Sequence, residues 1–225
     1  MEDSAPRKLA AILAADVAGY SRLMGQDEEA TVRTLSAYRD AIGDVVTTHE
    51  GRVFGGAGDS LVAEFSSPVQ AVRCALAIQE HIATQNEDLA KDRRMTFRIG
   101  VNLGDVIVDG ENLLGDGVNV AARLEGLAPP GGICVSAAVF DQVRNRIDAP
   151  TADLGRQSFK NIDQPAHAYS IGKIKPHRRG RHRSGHRVGI AAVLACRAGR
   201  CVLFGGWEWR GPRRGCGACS RGLSV

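Results

Sequence analysis

The sequence predicts an α+β fold, because strand-like and helix-like stretches mix along the chain without regular βαβ spacing. Hydrophobic residues make up 44% of the chain and charged residues 24%, which is ordinary for a soluble domain with a real core. Charge divides the chain in two. Residues 1–172 hold 16 Lys and Arg against 24 Asp and Glu, whereas residues 173–225 hold 13 against one. We therefore expect a folded domain over 1–172 and a disordered, basic, Arg/Gly-rich tail over 173–225.

Apolar periodicity and end signals place the elements of the domain. The predicted helices begin after Asp27, at Ser67-Pro68, at Gly115 and after Ser136, and they end near Gly51, before Asn86, at Ala128 and near Arg146. The predicted strands cover residues 8–16, both arms of 51–65, 95–103, 106–108, 133–135, 158–161 and 168–171. Gly104-Asp105 is interpreted as the turn of a hairpin between 95–103 and 106–108.

Three stretches carry candidate functional residues. An apolar run over residues 8–20 contains the single acid Asp16, and Asp59 lies at the small-residue turn of 51–65. A glycine-rich lead enters a helix in which Asn119 and Arg123 lie four apart, on one helical face. Taken singly, these residues also fit turns or a solvated helix face. Together they suit a metal–nucleotide site, because carboxylates bind divalent cations and an arginine neutralises phosphate charge.

In this order, the three stretches resemble the class III nucleotidyl cyclase domain of adenylate and guanylate cyclases. The resemblance covers about residues 7–171 and includes residues 97–106 and 129–136. It implies a ferredoxin-like, antiparallel-rich sheet with packed helices. It also implies an adenylate cyclase that converts ATP to 3′,5′-cyclic AMP and pyrophosphate by two-metal-ion catalysis in intracellular signalling.

The resemblance also implies roles for individual residues. Asp16 and Asp59 match the two metal-binding aspartates and would hold two Mg²⁺ or Mn²⁺ ions, with the backbone carbonyl of Val17 as a further ligand. Asn119 matches the residue that orients the ribose. Arg123 matches the one that stabilises charge on the reacting phosphate.

Two further basic residues are candidates for binding phosphate, and three acids are given no functional role. Arg98 and Lys160 match positions that contact the terminal phosphates, although a surface salt bridge is the alternative for each. Asp105, Asp116 and Glu64 are interpreted as ordinary surface or turn acids.

The resemblance implies a homodimer. In the family each active site takes its metal aspartates from one domain and its Asn/Arg pair from the other. This chain carries both sets once, so two equivalent sites at a two-fold interface are the natural assembly.

The positions that read the base are atypical. Adenylate cyclases usually carry a lysine and an aspartate or threonine where this chain has Gly55 and Asn112. Gly55 offers no side-chain hydrogen bond, whereas the Asn112 amide can both donate and accept. ATP is the expected substrate. GTP or dual specificity, and a non-enzymatic nucleotide-binding dimerisation module, remain as alternatives.

Targeting signals are absent from the sequence pattern. The first residues lack the basic start and apolar core of a signal peptide, and no apolar run reaches about 18 residues. We therefore expect a cytoplasmic protein without a membrane span and without a nucleic-acid partner. The tail composition also fits charge-driven binding to anionic surfaces, zinc ligation by its four cysteines, or out-of-frame translation of a GC-rich gene.

Overall fold

The computed structural model describes residues 5–159 and 165–172. The predicted tail and Lys160 lie outside these residues, and so the domain boundary near residue 172 remains a prediction. The described residues form eight strands and five α-helices, with a short 3-10 helix at Asn86–Asp88 after α3. In chain order the strands and α-helices are β1 (Arg7–Val17), α1 (Tyr20–Gln26), α2 (Glu28–Thr48), β2 (Gly51–Gly55), β3 (Leu61–Phe65), α3 (Pro68–Gln85), β4 (Phe97–Asp109), β5 (Asn112–Leu114), α4 (Asp116–Leu127), β6 (Ile133–Ser136), α5 (Ala137–Val143), β7 (Thr151–Gln157) and β8 (Ala166–Ile171).

All eight strands belong to one sheet. Its order is β2-β3-β1-β4-β6-β8-β7, and β5 pairs with β4 beside this path. Among the described strands, β4 and β6 pair in parallel and the other neighbours pair antiparallel. This mixed, antiparallel-rich sheet with packed helices confirms the predicted fold class.

The two faces of the sheet are covered unequally. Along β1, Ala11, Leu13, Ala15 and Val17 belong to the main core, which also contains buried residues of α1, α2, α3 and α5. The alternate residues Ala10, Ile12 and Ala14 belong to a much smaller cluster with Ala121 of α4. We call this second side the α4 face. Because side chains alternate along a strand, Asp16 lies on the α4 face as well.

The two long helices begin where the sequence predicted, each after a residue whose side chain caps the first turn. The Asp27 side chain accepts a hydrogen bond from the Ala30 backbone N–H at 3.0 Å, and Ser67 accepts one from Gln70 at 3.4 Å. Each bond satisfies a backbone donor that the first helical turn leaves unpaired. The described residues contain no helix that is both long and apolar enough to cross a membrane.

Two strand predictions were wrong. The expected hairpin at Gly104-Asp105 is absent, because β4 runs unbroken through both residues and pairs with β1 from Phe97 to Ile107. The chain turns later, between Asp109 and Asn112. Of the strand expected at 158–161, Ser158 and Phe159 are not in a strand, and residues 160 and 161 lie outside the described residues; the strand that precedes them is β7. The short helix α1 was not predicted.

Close backbone contacts dock α4 on β4. A Cβ atom added to Gly100 would overlap the Ala121 carbonyl oxygen and the Glu125 backbone nitrogen. One added to Gly104 would lie 3.1 Å from the Cα atom of Gly117. Gly104 is therefore a site of close helix–strand approach rather than a turn residue.

Candidate active site

The sheet register brings the first candidate acid together with two other candidates. Asp16 lies at the end of β1 and pairs directly with Arg98 of β4. On the other side of β1, Ala15 pairs with Leu61, the first residue of β3. The turn that carries Asp59 precedes Leu61 by one residue and therefore lies beside Asp16.

The Asp59 turn is fixed by contacts at both ends. Ser60 Oγ accepts a hydrogen bond from the Ala57 backbone N–H at 3.1 Å, and the Ala57 carbonyl accepts one from the Ser60 hydroxyl at 2.9 Å. The Arg39 guanidinium of α2 donates to the Gly58 carbonyl at 2.8 Å. Gly56 has a φ of 145°, and a Cβ atom there would overlap the Ser60 carbonyl oxygen, so this position requires glycine. Arg39 was not identified from the sequence.

Asp16 and Asp59 form a close carboxylate pair. Burial raises the pKa of Asp59, and the nearby Asp16 carboxylate raises it further by repulsion and by hydrogen bonding to the protonated form. Arg98 opposes this shift, and its Nη2 donates to Asp16 Oδ2 at 2.8 Å. Two like charges thus lie together with one guanidinium beside them.

Glu125 of α4 joins this group and was missed in the sequence. Its Oε1 lies 2.9 Å from Arg98 Nε, and the side chain is 13% exposed. Burial raises the pKa of Glu125 to about 7, although Arg98 opposes the shift. The available signal was position: Glu125 follows the buried Ala121 by four residues, so it lies on the sheet-facing side of the helix, where an acid needs a partner.

Glu64 also differs from its prediction as an ordinary surface acid. Its side chain is 12% exposed and receives Lys8 Nζ at 2.6 Å and Arg52 Nε at 2.7 Å. Burial would raise the pKa of Glu64, but hydrogen bonds from Lys8 and Arg52 lower it overall. Asp105 agrees with its prediction, since it is half exposed and pairs with Arg7.

Asn119 and Arg123 lie together on an exposed face of α4, as their spacing predicted. Within the described part of the chain, neither side chain makes a hydrogen bond or an ion pair. They therefore stand apart from the contacts that fix Asp16, Asp59 and Arg98.

The two positions expected at the base lie on elements that touch. Gly55 ends β2 and Asn112 begins β5, and these strands contact each other. The Arg52 guanidinium of β2 donates to the Glu111 carbonyl, next to Asn112, at 3.0 Å. No atom lies within 4 Å of a Cβ atom built on Gly55, and Asn112 is exposed.

The carboxylate pair suits a cation that completes its coordination with other groups. The described residues contain no group of three or more His, Cys, Asp or Glu side chains able to hold a metal ion. Mg²⁺ is commonly held by one or two carboxylates, with substrate phosphates and water as the remaining ligands. The Val17 side chain is buried in the core, which leaves its backbone carbonyl as the group that it could contribute.

Comparison with known proteins identifies the family. Residues 3–164 match the family described as "Adenylate and Guanylate cyclase catalytic domain". The protein named "Putative adenylate cyclase 3" of Rhizobium meliloti (strain 1021) is 47% identical over 170 residues, which cover 75% of this chain. The chain spans only 29% of the length of that relative.

Solved structures agree with the assignment. The adenylate/guanylate cyclase/hydrolase from Silicibacter pomeroyi is 40% identical with a TM-score of 0.71, over 76% of this chain and 100% of that one. The adenylyl cyclase CyaB from P. aeruginosa has a TM-score of 0.67 over 77% of this chain and 98% of its own, and at 19% identity it supports the fold alone. The chain therefore belongs to the class III adenylate and guanylate cyclase catalytic-domain family.

Proposed function

We propose that this domain is an adenylate cyclase that converts ATP to 3′,5′-cyclic AMP and pyrophosphate. The observation that carries the proposal is the convergence of Asp16, Asp59 and Arg98 at one end of the central strands, in a chain of the cyclase family. In this reaction the ribose 3′-hydroxyl attacks the α-phosphate and pyrophosphate leaves.

Asp16 and Asp59 would hold two Mg²⁺ or Mn²⁺ ions, with the Val17 carbonyl as an additional ligand. The pairing of two acids supports this role, because a bound cation would relieve two of the effects that raise the pKa of Asp59, burial first and repulsion from Asp16 second. Such cations supply charge neutralisation at the phosphates and lower the pKa of the attacking hydroxyl.

The remaining residues would bind and orient the nucleotide. Asn119 would hold the ribose, and Arg123 would stabilise negative charge that develops on the reacting phosphate. Arg98 is placed beside the acids and would reach the terminal phosphates, as would Lys160, which lies outside the described residues.

A homodimer would complete the site. Asn119 and Arg123 are exposed, and their side chains make no hydrogen bond or ion pair among the described residues, as expected for groups that act on a ligand held by another subunit. Since one chain carries both sets of residues, a two-fold assembly would contain two equivalent sites. The family commonly forms dimers, which is consistent with this arrangement.

Base selection leaves two other candidates. Gly55 leaves open space, so among these two positions only the exposed Asn112 amide could hydrogen-bond to a purine base. Because an amide both donates and accepts, this arrangement suits GTP as well as ATP. The missing side chain at Gly55 also favours a second candidate function, a catalytically weak nucleotide-binding dimerisation module.

The test is product formation by the full chain with Mn²⁺ and either ATP or GTP. We expect cyclic AMP and pyrophosphate in equal amounts, and their loss in Asp59→Ala. Asp44→Ala, which removes an exposed acid from α2, is the matched control and should retain activity. Preference for GTP would change the substrate and keep the mechanism. A dimer that binds nucleotide without forming product would favour the regulatory module.

A further inference from the structure

One guanidinium is shared by two acids from different elements. Arg98 Nη2 donates to Asp16 Oδ2 at 2.8 Å, and Arg98 Nε lies 2.9 Å from Glu125 Oε1. The second contact is an ion pair without hydrogen-bond alignment, and these two buried atoms have no hydrogen-bond partner among the described residues. Arg98 and Glu125 thus lie close together without a hydrogen bond between Nε and Oε1, and a small movement of Arg98 would form one.

The backbone fixes Glu125 in this place. Gly100, two residues after Arg98 on the same strand face, lets the backbone of Ala121 and Glu125 rest directly on β4. A carboxylate with only 13% of its surface exposed is costly unless a cation accompanies it. Arg98 is the cation within reach.

We propose that Glu125 is a positioning residue for the Asp16–Asp59 pair. It would retain the Arg98 guanidinium when a divalent cation takes up the charge of Asp16. The inference rests on the proposed function, because it assumes that Asp16 and Asp59 bind metal.

Competition for the charge of Asp16 explains the role. The Asp16 carboxylate accepts a hydrogen bond from Arg98, and a divalent cation at the same carboxylate would draw on that negative charge and repel the guanidinium. Above about pH 7, where Glu125 is ionised, the partly buried guanidinium keeps an anionic partner once the cation is bound. Without it, Arg98 depends on Asp16 and competes with the cation.

Mn²⁺ binding to the full chain tests the proposal without reference to turnover. Unbound Mn²⁺ is measured by electron paramagnetic resonance, and the Mn²⁺-induced rise in melting temperature is measured in parallel. We expect Glu125→Gln to weaken Mn²⁺ binding about tenfold, the lower end of the usual effect of residues that support metal ligands. Glu125→Asp keeps the charge but shortens the reach, and should give an intermediate loss.

Two controls separate positioning from charge. Glu64→Gln removes one negative charge from an equally buried acid on the α4 face, paired with Lys8 and Arg52, and should leave Mn²⁺ affinity within about twofold of wild type. Arg98→Met removes the competing cation. In that background Glu125→Gln should have little further effect, because Glu125 acts through Arg98.

Several outcomes would overturn the inference. Unchanged Mn²⁺ affinity in a folded Glu125→Gln protein would leave Glu125 a merely structural partner. An equal loss in Glu64→Gln would assign the effect to net charge, and a full loss in the Arg98→Met background would make Glu125 a direct ligand. If wild type shows no Mn²⁺ binding that Asp59→Ala removes, the proposed metal site fails together with the inference.

Discussion

The two sets of candidate residues differ in how the chain holds them. Asp16, Asp59 and Arg98 are half-buried, and hydrogen bonds or ion pairs fix them from β1, β4, α2 and α4. Asn119 and Arg123 lie on the exposed side of α4, and their side chains make no hydrogen bond or ion pair among the described residues. The first set is preorganised by its own domain. In the second, only the helix is fixed, and the side chains are left for a ligand to order.

This contrast explains what one chain can do alone. In the proposed mechanism, the carboxylate set (Asp16, Asp59 and Arg98) would bind a cation in a single protomer. The α4 set (Asn119 and Arg123) would act only on a nucleotide that another protomer holds. Variants of the two sets should therefore fail in different ways.

The largest expected effect tests whether the two sets serve different chains. Asp59→Ala and Arg123→Ala should each lower cyclic nucleotide formation by about 10²–10³ or more, because each removes charge stabilisation of the transition state. Co-expressed, they should recover about a quarter of wild-type activity, since half of the dimers are mixed and each mixed dimer has one intact site.

The control is a pair of variants from the same set. Asp16→Ala with Asp59→Ala leaves no intact site in any dimer and should recover nothing. Recovery of activity in this control pair would contradict the shared site. So would an absence of activity in the first pair when a tagged pull-down shows that mixed dimers have formed. The free energy of unfolding of Arg123→Ala should also lie within about 0.5 kcal/mol of the wild-type value, because the side chain is exposed.

A second prediction removes the docking that both sets share. Gly100→Ala should lower the free energy of unfolding by about 3 kcal/mol, because the added Cβ atom overlaps the backbone of α4 on a strand that cannot move away. Gly126→Ala is the control on the same helix, where no atom lies within 4 Å, and it should stabilise the protein by up to about 1 kcal/mol. Urea denaturation measures both, and equal values for the two variants would contradict the close contact.

A third prediction concerns the pH dependence of stability. It compares Glu125, which contacts Arg98 of the carboxylate set, with Asn119 of the α4 set. The folded-state pKa of Glu125 is raised to about 7 by burial, so its contribution to stability is fully present below the ordinary value of 4.5 and is lost as pH rises through about 7. Between pH 5 and 8, without metal, the free energy of unfolding should fall by about 2 kcal/mol more in wild type than in Glu125→Gln.

Asn119→Ala should instead keep the full pH dependence of wild type. Chemical denaturation in a chelating buffer at several pH values measures all three proteins. Parallel curves for wild type and Glu125→Gln would contradict the raised pKa.

Local signals in the sequence were sufficient for the two long helices and for the shared helical face of two candidate residues. The helix start after Asp27, the cap at Ser67 and the four-residue spacing of Asn119 and Arg123 depend on neighbours in sequence, and these structural predictions were confirmed. Gly104 was misread because a glycine needed for helix contact looks the same in sequence as one needed for a turn. The decisive atom belongs to Gly117, which only the fold brings near.

The missed positions share this long-range origin. Arg39 acts on the Asp59 turn from α2, and Glu125 meets Arg98 only after α4 has docked on β4. Neither residue has a partner close to it in sequence, so periodicity alone places them on helices without assigning a contact. The roles given to the site residues themselves come from the family resemblance and stay predictions.

The docking of α4 on bare backbone has a consequence for control of the reaction. At Gly100 and Gly104 the backbone of α4 contacts the backbone of β4 directly, with no side chains between them that could repack. The helix is therefore expected to keep its position on the sheet when a ligand binds. In the proposed homodimer, an upstream signal would then have to turn one rigid protomer against the other. The rate of cyclic nucleotide formation would then depend on the angle between the two subunits, because that angle sets the distance between the carboxylates of one protomer and Asn119 and Arg123 of the other.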